Sequence, residues 1–220
     1  MKNKFKGVAA FGVVCFFSAT MCHATLIDIG GGMIYDDELD VTWMQDASYS
    51  FTSEGILRRT WDDASQWVGE LEYYDSVRDQ VVDDWRLPTT INDPTSVGWD
   101  TTGMSSELAY MYFVNLGFAP NYSGDPTSPN PISNNYNPFI NLAYRGHWSG
   151  TSTENPDRPD QVWMLHFHFG FQDFTGGSGD EMRIWMLTDG NVATRVPEPG
   201  TLALLGLGLA GIGFSRRRKV

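Results

Sequence analysis

The sequence predicts one α+β domain over residues 25–195. Two stretches, residues 60–71 and 105–116, place apolar side chains at helical spacing. Several shorter stretches read as strands punctuated by Gly and Asp. No internal repeat divides the chain, and about 170 residues suffice for one core. Helices set among short strands, rather than alternating with them regularly, give the α+β class.

The elements follow in order. Residues 26–43 predict two short strands joined by a turn, with Gly30-Gly31-Gly32 and Asp36-Asp37 as punctuation. Thr60 can cap a helix over 60–71, with Asp63 at its third position. Trp61, Ala64, Trp67, Val68 and Leu71 share one face, and Trp67 is expected in the core. In Asp84-Trp85-Arg86-Leu87-Pro88-Thr89, Trp85 and Leu87 alternate inward on a strand that Pro88 ends. Arg86 between them can pack its stem and pair with an acid. The second helix carries Glu107 in its first turn, turns Leu108, Met111, Tyr112 and Leu116 inward, and stops at Gly117. Five prolines make residues 119–138 a long loop. Residues 162–169 alternate as a strand, with Trp163, Leu165, Phe167 and Phe169 on one face and Val162, Met164, His166 and His168 on the other. Residues 183–187 close the domain as a strand before Asp189-Gly190. Trp43, Trp148 and Trp185 are expected in the core.

The two ends are targeting segments. Lys2, Lys4 and Lys6 precede an apolar stretch at 8–17, and Cys22-His23-Ala24 puts small residues at −3 and −1 of a cleavage site between Ala24 and Thr25. Residues 1–24 are therefore a secretory signal peptide, and both cysteines leave with it. The mature chain enters an oxidising space without a disulfide. At the other end, Pro197-Glu198-Pro199 cannot be helical. An apolar run of 14 residues, 201–214, follows, and then Arg216, Arg217, Arg218 and Lys219. The run is short for a permanent span, which needs about 20 residues. The basic cluster stops transfer on the cytoplasmic side. A transient inner-membrane anchor fits this order better than a permanent one.

Charge bounds the partners. Residues 25–195 hold 26 Asp and Glu against eight Arg and no Lys, a net of −18. Such a surface excludes nucleic acid as a partner, and it repels anionic polysaccharide unless a cation intervenes.

Two resemblances add to this reading. The hinge, apolar run and basic cluster at 196–219 resemble the PEP-CTERM sorting signal of Gram-negative exopolysaccharide producers. That resemblance implies export, cleavage near Pro197-Glu198-Pro199 by an exosortase-type membrane enzyme, and delivery to the cell surface or matrix. Asp40-Val41-Thr42-Trp43-Met44, Trp61-x-x-Ala64-x-x-Trp67, Asp84-Trp85-Arg86-Leu87-Pro88-Thr89 and His147-Trp148-Ser149-Gly150-Thr151 resemble the Lcl C-terminal-like family (DUF1566). The Arg-Leu-Pro-Thr segment before a Glu-bearing helix is also similar to C-type-lectin-like and formylglycine-generating domains. A lectin-like fold is implied, with adhesion or extracellular polysaccharide binding as its role. The chain departs from that pattern at an insertion over 91–103. Without a mature cysteine, formylglycine-generating activity is excluded.

The candidate ligand residues are few. Trp99 and Tyr122 are candidates for stacking on a sugar. The acidic run Asp36, Asp37 and Asp40 could supply oxygen ligands to calcium, as could Asp180-Glu181, but neither has EF-hand spacing. His166 and His168 could hold zinc if His147 joined them. With no Gly-x-Ser-x-Gly elbow and no Cys or Lys nucleophile, the chain reads as non-catalytic. The rival readings are a metal-dependent hydrolase built on His166 and His168, and a passive matrix component.

Overall fold

The computed structural model describes residues 25–121, 135–143, 145–176 and 179–195. Ala24, Tyr122, Pro197, Glu198, Pro199, Arg216, Arg217, Arg218 and Lys219 lie outside the described residues. Among the described residues, no helix is long and apolar enough to cross a membrane.

The first segment makes three strands rather than two, because both of its punctuation points become turns. β1 (Leu26–Gly30), β2 (Met33–Asp36) and β3 (Val41–Met44) form an antiparallel meander. The last strand, β11 (Leu187–Asp189), returns to pair with β3, giving the order β1-β2-β3-β11. Pairing with β3 therefore starts four residues later than the expected closing strand.

A short helix, α1 (Tyr49–Glu54), follows β3 and ends on Gly55 in the left-handed region. It is mostly exposed and has no apolar periodicity, so the sequence did not announce it. α2 (Trp61–Gly69) forms as expected. Thr60 caps it, and its hydroxyl accepts from Asp63 N–H. Ala64 and Val68 are buried. Trp67, expected in the core, sits at its margin instead. Its Nε1 donates to Glu54 Oε1 at 2.8 Å, and the Arg59 guanidinium lies 5.1 Å from its ring.

β4 (Tyr73–Asp75) and β5 (Gln80–Val82) form a hairpin. The second predicted helix starts on Ser106, whose hydroxyl accepts from Ala109 N–H. It runs as α3 (Glu107–Tyr110) and widens into a π turn at Met111–Asn115. The expected loop at 119–138 contains a strand in its described part, since β6 (Asn135–Tyr136) pairs with β7 (Phe139–Ile140). Pro138 is tolerated because it occupies the turn, where no ladder N–H is needed.

The second main sheet has the order β10-β9-β8. It joins β8 (Gly146–Ser152), β9 (Gln161–His166) and β10 (Phe171–Gly176), all antiparallel. The predicted strand over 162–169 thus stops at His166, and residues 167–170 form the hairpin tip. Gly170 closes that tip at φ +67°, where an added Cβ would lie 2.5 Å from Tyr112 Cε1.

Alternate residues of these strands serve two cores. Ile34, Trp43, Leu165 and Phe167 belong to one, together with Leu108, Tyr112 and Trp185. Met33, Met44, Val162 and Met164 belong to the other, together with Ala64, Val68, Trp85 and Trp148. α3 therefore feeds one core and α2 the other, with strands between them. This arrangement buries both faces of β9, where alternation had suggested one polar face.

Candidate functional site

Two clefts flank the tip of the β9–β10 hairpin. The first has a volume of about 470 Å³ and is built from the segment inserted between Pro88-Thr89 and α3. That segment is fixed against β10 on both sides. Gly98 and Gln172 exchange backbone hydrogen bonds at 2.9 and 2.8 Å, and Gln172 Nε2 donates to Ser96 O at 2.8 Å. Asn92 joins it to the sheet, accepting from Trp163 Nε1 at 3.1 Å. Gly103 turns the chain at φ +70°, and an added Cβ there would lie 2.5 Å from Tyr110 Cα. No other residue fits that approach.

The fixed segment displays apolar groups. Ile91, Val97, Trp99 and Met104 line the first cleft and are all exposed, Trp99 at 37%. The Trp99 ring meets Phe171 edge-on, with centroids 4.6 Å apart, and its Nε1 donates to Phe169 O at 3.1 Å. Asp93 and Asp100 also line the cleft, but their carboxylates are engaged. Asp93 Oδ1 accepts from the Thr95 hydroxyl and N–H. Asp100 accepts from both groups of Thr102 and both of Ser105. The Thr95 bonds hold Asp93 below the usual carboxylate range. Burial pushes Asp100 up, and its four hydrogen bonds outweigh that and hold it low.

The second cleft, of about 710 Å³, opens at the hairpin tip. His166, His168 and Phe169 line it with Arg58, Arg145 and Asp180. His168 belongs to the tip rather than to β9, and it packs on Phe169 with ring centroids 4.4 Å apart. The backbone brings the arginines there. Arg59 and Met182 exchange backbone hydrogen bonds at 3.0 Å, which sets Arg58 beside the segment 179–182. Arg145 O accepts from Phe167 N–H at 3.1 Å, which sets Arg145 beside the hairpin tip.

The metal sets expected from sequence do not assemble. Among the described residues, no three His, Asp or Glu side chains come together to hold an ion. His147 is fully buried against Phe167 and Trp185. Its Nδ1–H donates to Arg145 O at 3.0 Å, leaving Nε2 without a partner. Burial first, then Arg183 and His166, lowers its pKa to about 3. Burial also holds His166 below its ordinary value, although Asp173 opposes that. The acidic run at 36–40 works as turn chemistry. Asp36 is buried and accepts from the N–H groups of Glu38 and Leu39 and from Asn115 Nδ2. Asp37 Oδ1 accepts from Thr25 N at 2.7 Å, and Asp40 Oδ1 from Tyr35 Oη at 2.9 Å.

Comparison with known proteins bears on the C-terminus. The model of the PEP-CTERM protein-sorting motif matches residues 195–219. No curated protein and no solved structure matches the chain. The match covers the hinge, the apolar run and the basic cluster, and the motif implies a chain exported, processed by an exosortase and associated with the surface of a Gram-negative bacterium.

Proposed function

We propose that the domain binds an extracellular polysaccharide at the surface and does not cleave it. The observation behind this reading is the Trp99 cleft. An indole at its rim, anchored through Nε1 and backed by Phe171, offers an apolar surface beside Ile91, Val97 and Met104. Sugars present C–H faces that stack on such rings and hydroxyls that bond to polar neighbours. The non-catalytic part of the proposal draws on the same cleft. Glycoside hydrolysis needs one carboxylic acid kept protonated near neutral pH, whereas hydrogen bonds shift Asp93 and Asp100 in the opposite direction, below the ordinary carboxylate value.

The lectin-like, Lcl-like reading of the domain is part of this proposal. It rests on the resemblance of the motif segments, which meet one another in the fold. Trp61 Nε1 donates to Ser149 O at 2.8 Å, Ser149 Oγ to Pro88 O at 2.9 Å, and Trp148 Nε1 to Arg59 O at 2.9 Å. The test is a glycan array with the processed protein and its Trp99→Ala variant. Saturable binding that falls at least tenfold in the variant is expected. A blank array would favour a passive matrix component, and unchanged binding in the variant would remove the Trp99 cleft from the reading.

A further inference from the structure

Positive charge is scarce in this domain, yet part of it is gathered around one cleft without direct ion pairing. Of eight arginines, Arg59, Arg78, Arg86 and Arg195 pair with carboxylates. Arg58, Arg145, Arg158 and Arg183 form no ion pair with any described residue, although 26 acids are present in residues 25–195. Arg58 and Arg145 line the second cleft. Arg183 stands behind its wall. Its backbone N–H donates to Gly146 O at 2.9 Å, and Gly146 lines the cleft. Its Nη1 reaches Ser48 Oγ at 3.2 Å, and its buried Nε has no partner. Burial, then the repulsion of Arg145 and Arg58, holds the Arg183 guanidinium below its ordinary value. A partly desolvated arginine repelled by its arginine neighbours is unfavourable, and an incoming anion relieves it.

From the unpaired Arg58, Arg145 and Arg183 around a cleft that also holds His166, His168 and Phe169, we infer a binding site for the carboxylate of an acidic sugar. Guanidinium groups pair carboxylates in a planar, two-bond geometry. The Phe169 ring offers a surface for the C–H face of the sugar. Asp180 and Glu181, on the 179–182 side of the cleft, can accept from sugar hydroxyls. A unit carrying one carboxylate and several hydroxyls matches this mixed lining, whereas a bare inorganic anion would meet Asp180 and Glu181 as repulsion. Phe169 also ties the two clefts together, since it lines this one and its carbonyl holds Trp99 in the other. A chain of sugars with uronic acid units could engage both. The net −18 opposes the general approach of polyanions, so the site would act by short-range pairing.

The inference rests on the polysaccharide reading for its saccharide and adds the acidic unit. The test titrates the processed, exported protein by calorimetry with uronate oligosaccharides, neutral oligosaccharides of equal length, and sodium sulfate. Arg58→Gln/Arg145→Gln is compared with Arg158→Gln, a substitution of an exposed arginine that does not line the cleft. Both cleft arginines are exposed, so the double variant keeps the wild-type melting temperature. Uronate binding should weaken at least tenfold in the double variant and stay within twofold in Arg158→Gln. Uronate that binds no better than neutral sugar, binding retained in the double variant, or a response to sulfate alone would overturn the inference. Neutral-glycan binding lost in Trp99→Ala would survive any of those results, so the two failures are separable.

Discussion

Arg86 and Glu107 form a two-bond ion pair that locks the Arg-Leu-Pro-Thr segment onto α3. Arg86 Nη1 donates to Glu107 Oε2 at 2.8 Å and Nη2 to Oε1 at 2.7 Å. Glu107 Oε2 also accepts from Thr89 N–H at 2.6 Å and from its hydroxyl at 3.0 Å. Asp189 at the end of β11 takes the other edge of the guanidinium, 2.9 Å from Nε and 2.6 Å from Nη2. Burial opposes the charge on Arg86, but Glu107 and Asp189 outweigh it, and the pKa rises. The two acids differ in exposure, 15% for the Glu107 side chain against 76% for Asp189. Glu107→Ala should therefore cost about 2–4 kcal/mol, because it strands Arg86 and the Thr89 N–H. Asp189→Asn should cost about 0–1 kcal/mol, since its partner remains paired and water screens the contact. Urea melts of both variants decide. Equal costs would mean that Glu107 is not the organising acid.

The tryptophans should separate by depth. Trp148 is fully buried and donates to Arg59 O, so Trp148→Ala should cost about 3–5 kcal/mol. Trp67 keeps an edge in solvent and holds Glu54 and Arg59 rather than filling the core. Trp67→Ala should cost about 1–2 kcal/mol, less than its place on the helical face suggests. Denaturant midpoints of the two variants measure the difference, and a larger loss at Trp67 would contradict this ranking. Neither value should respond to reductant, because residues 25–195 contain no cysteine.

These contrasts show what the sequence made legible. Thr60, Ala64 and Val68 announced α2 because capping and helical spacing are local signals. Arg86 announced its need for an acid by standing between two inward residues. β9 was misjudged because alternation assumes one wet face, whereas Val162 and Leu165 enter different cores. α1 escaped because a helix of six polar and aromatic residues has no period to detect. The cationic cleft was hidden for a different reason. Arg58, Arg145 and Arg183 are far apart in the chain, and a net of −18 masks a local gathering of arginines that the backbone ladders at 59/182 and 146/183 create.

His147 should make the fold acid-sensitive well above the carboxylate range. In the unfolded chain it takes a proton below about pH 6.5, whereas in the native state it stays neutral down to about 3. The unfolded state therefore binds more protons between those values, and stability falls as pH falls through that window. The slope should approach ~1.4 kcal/mol per pH unit. His166, also lowered first by burial, adds in the same direction, and Asp36, raised first by burial, opposes it. His147→Phe should flatten the stability profile between pH 6 and 4 whatever it does to absolute stability. A slope unchanged in that variant would remove His147 from the account.

Both ends of the chain should be cut, and the two cuts should be independent of the fold. At the front, β1 starts at Leu26, and Thr25 N lies 2.7 Å from Asp37 Oδ1. Cleavage after Ala24 would turn that nitrogen into an ammonium facing a carboxylate, so processing should stabilise this edge, and Asp37→Asn should remove the gain, about 0–1 kcal/mol for so exposed a pair. At the back, the described domain ends at Arg195, which pairs with Asp84 at 2.7 Å, and the sorting motif begins at that residue. Glu198 follows the described domain in the sequence, and its place between Pro197 and Pro199 predicts an extended peptide of the kind processing enzymes grip. With Arg216 to Lys219 retained on the cytoplasmic side, Glu198 would face a membrane enzyme at the outer surface of the inner membrane. Glu198→Ala should therefore leave export and melting temperature unchanged while the protein accumulates in the membrane fraction with its basic tail attached. Fractionation and intact mass of wild type and variant, in a host carrying an exosortase, check this. Identical C-termini in both would show that Glu198 plays no part in the cut.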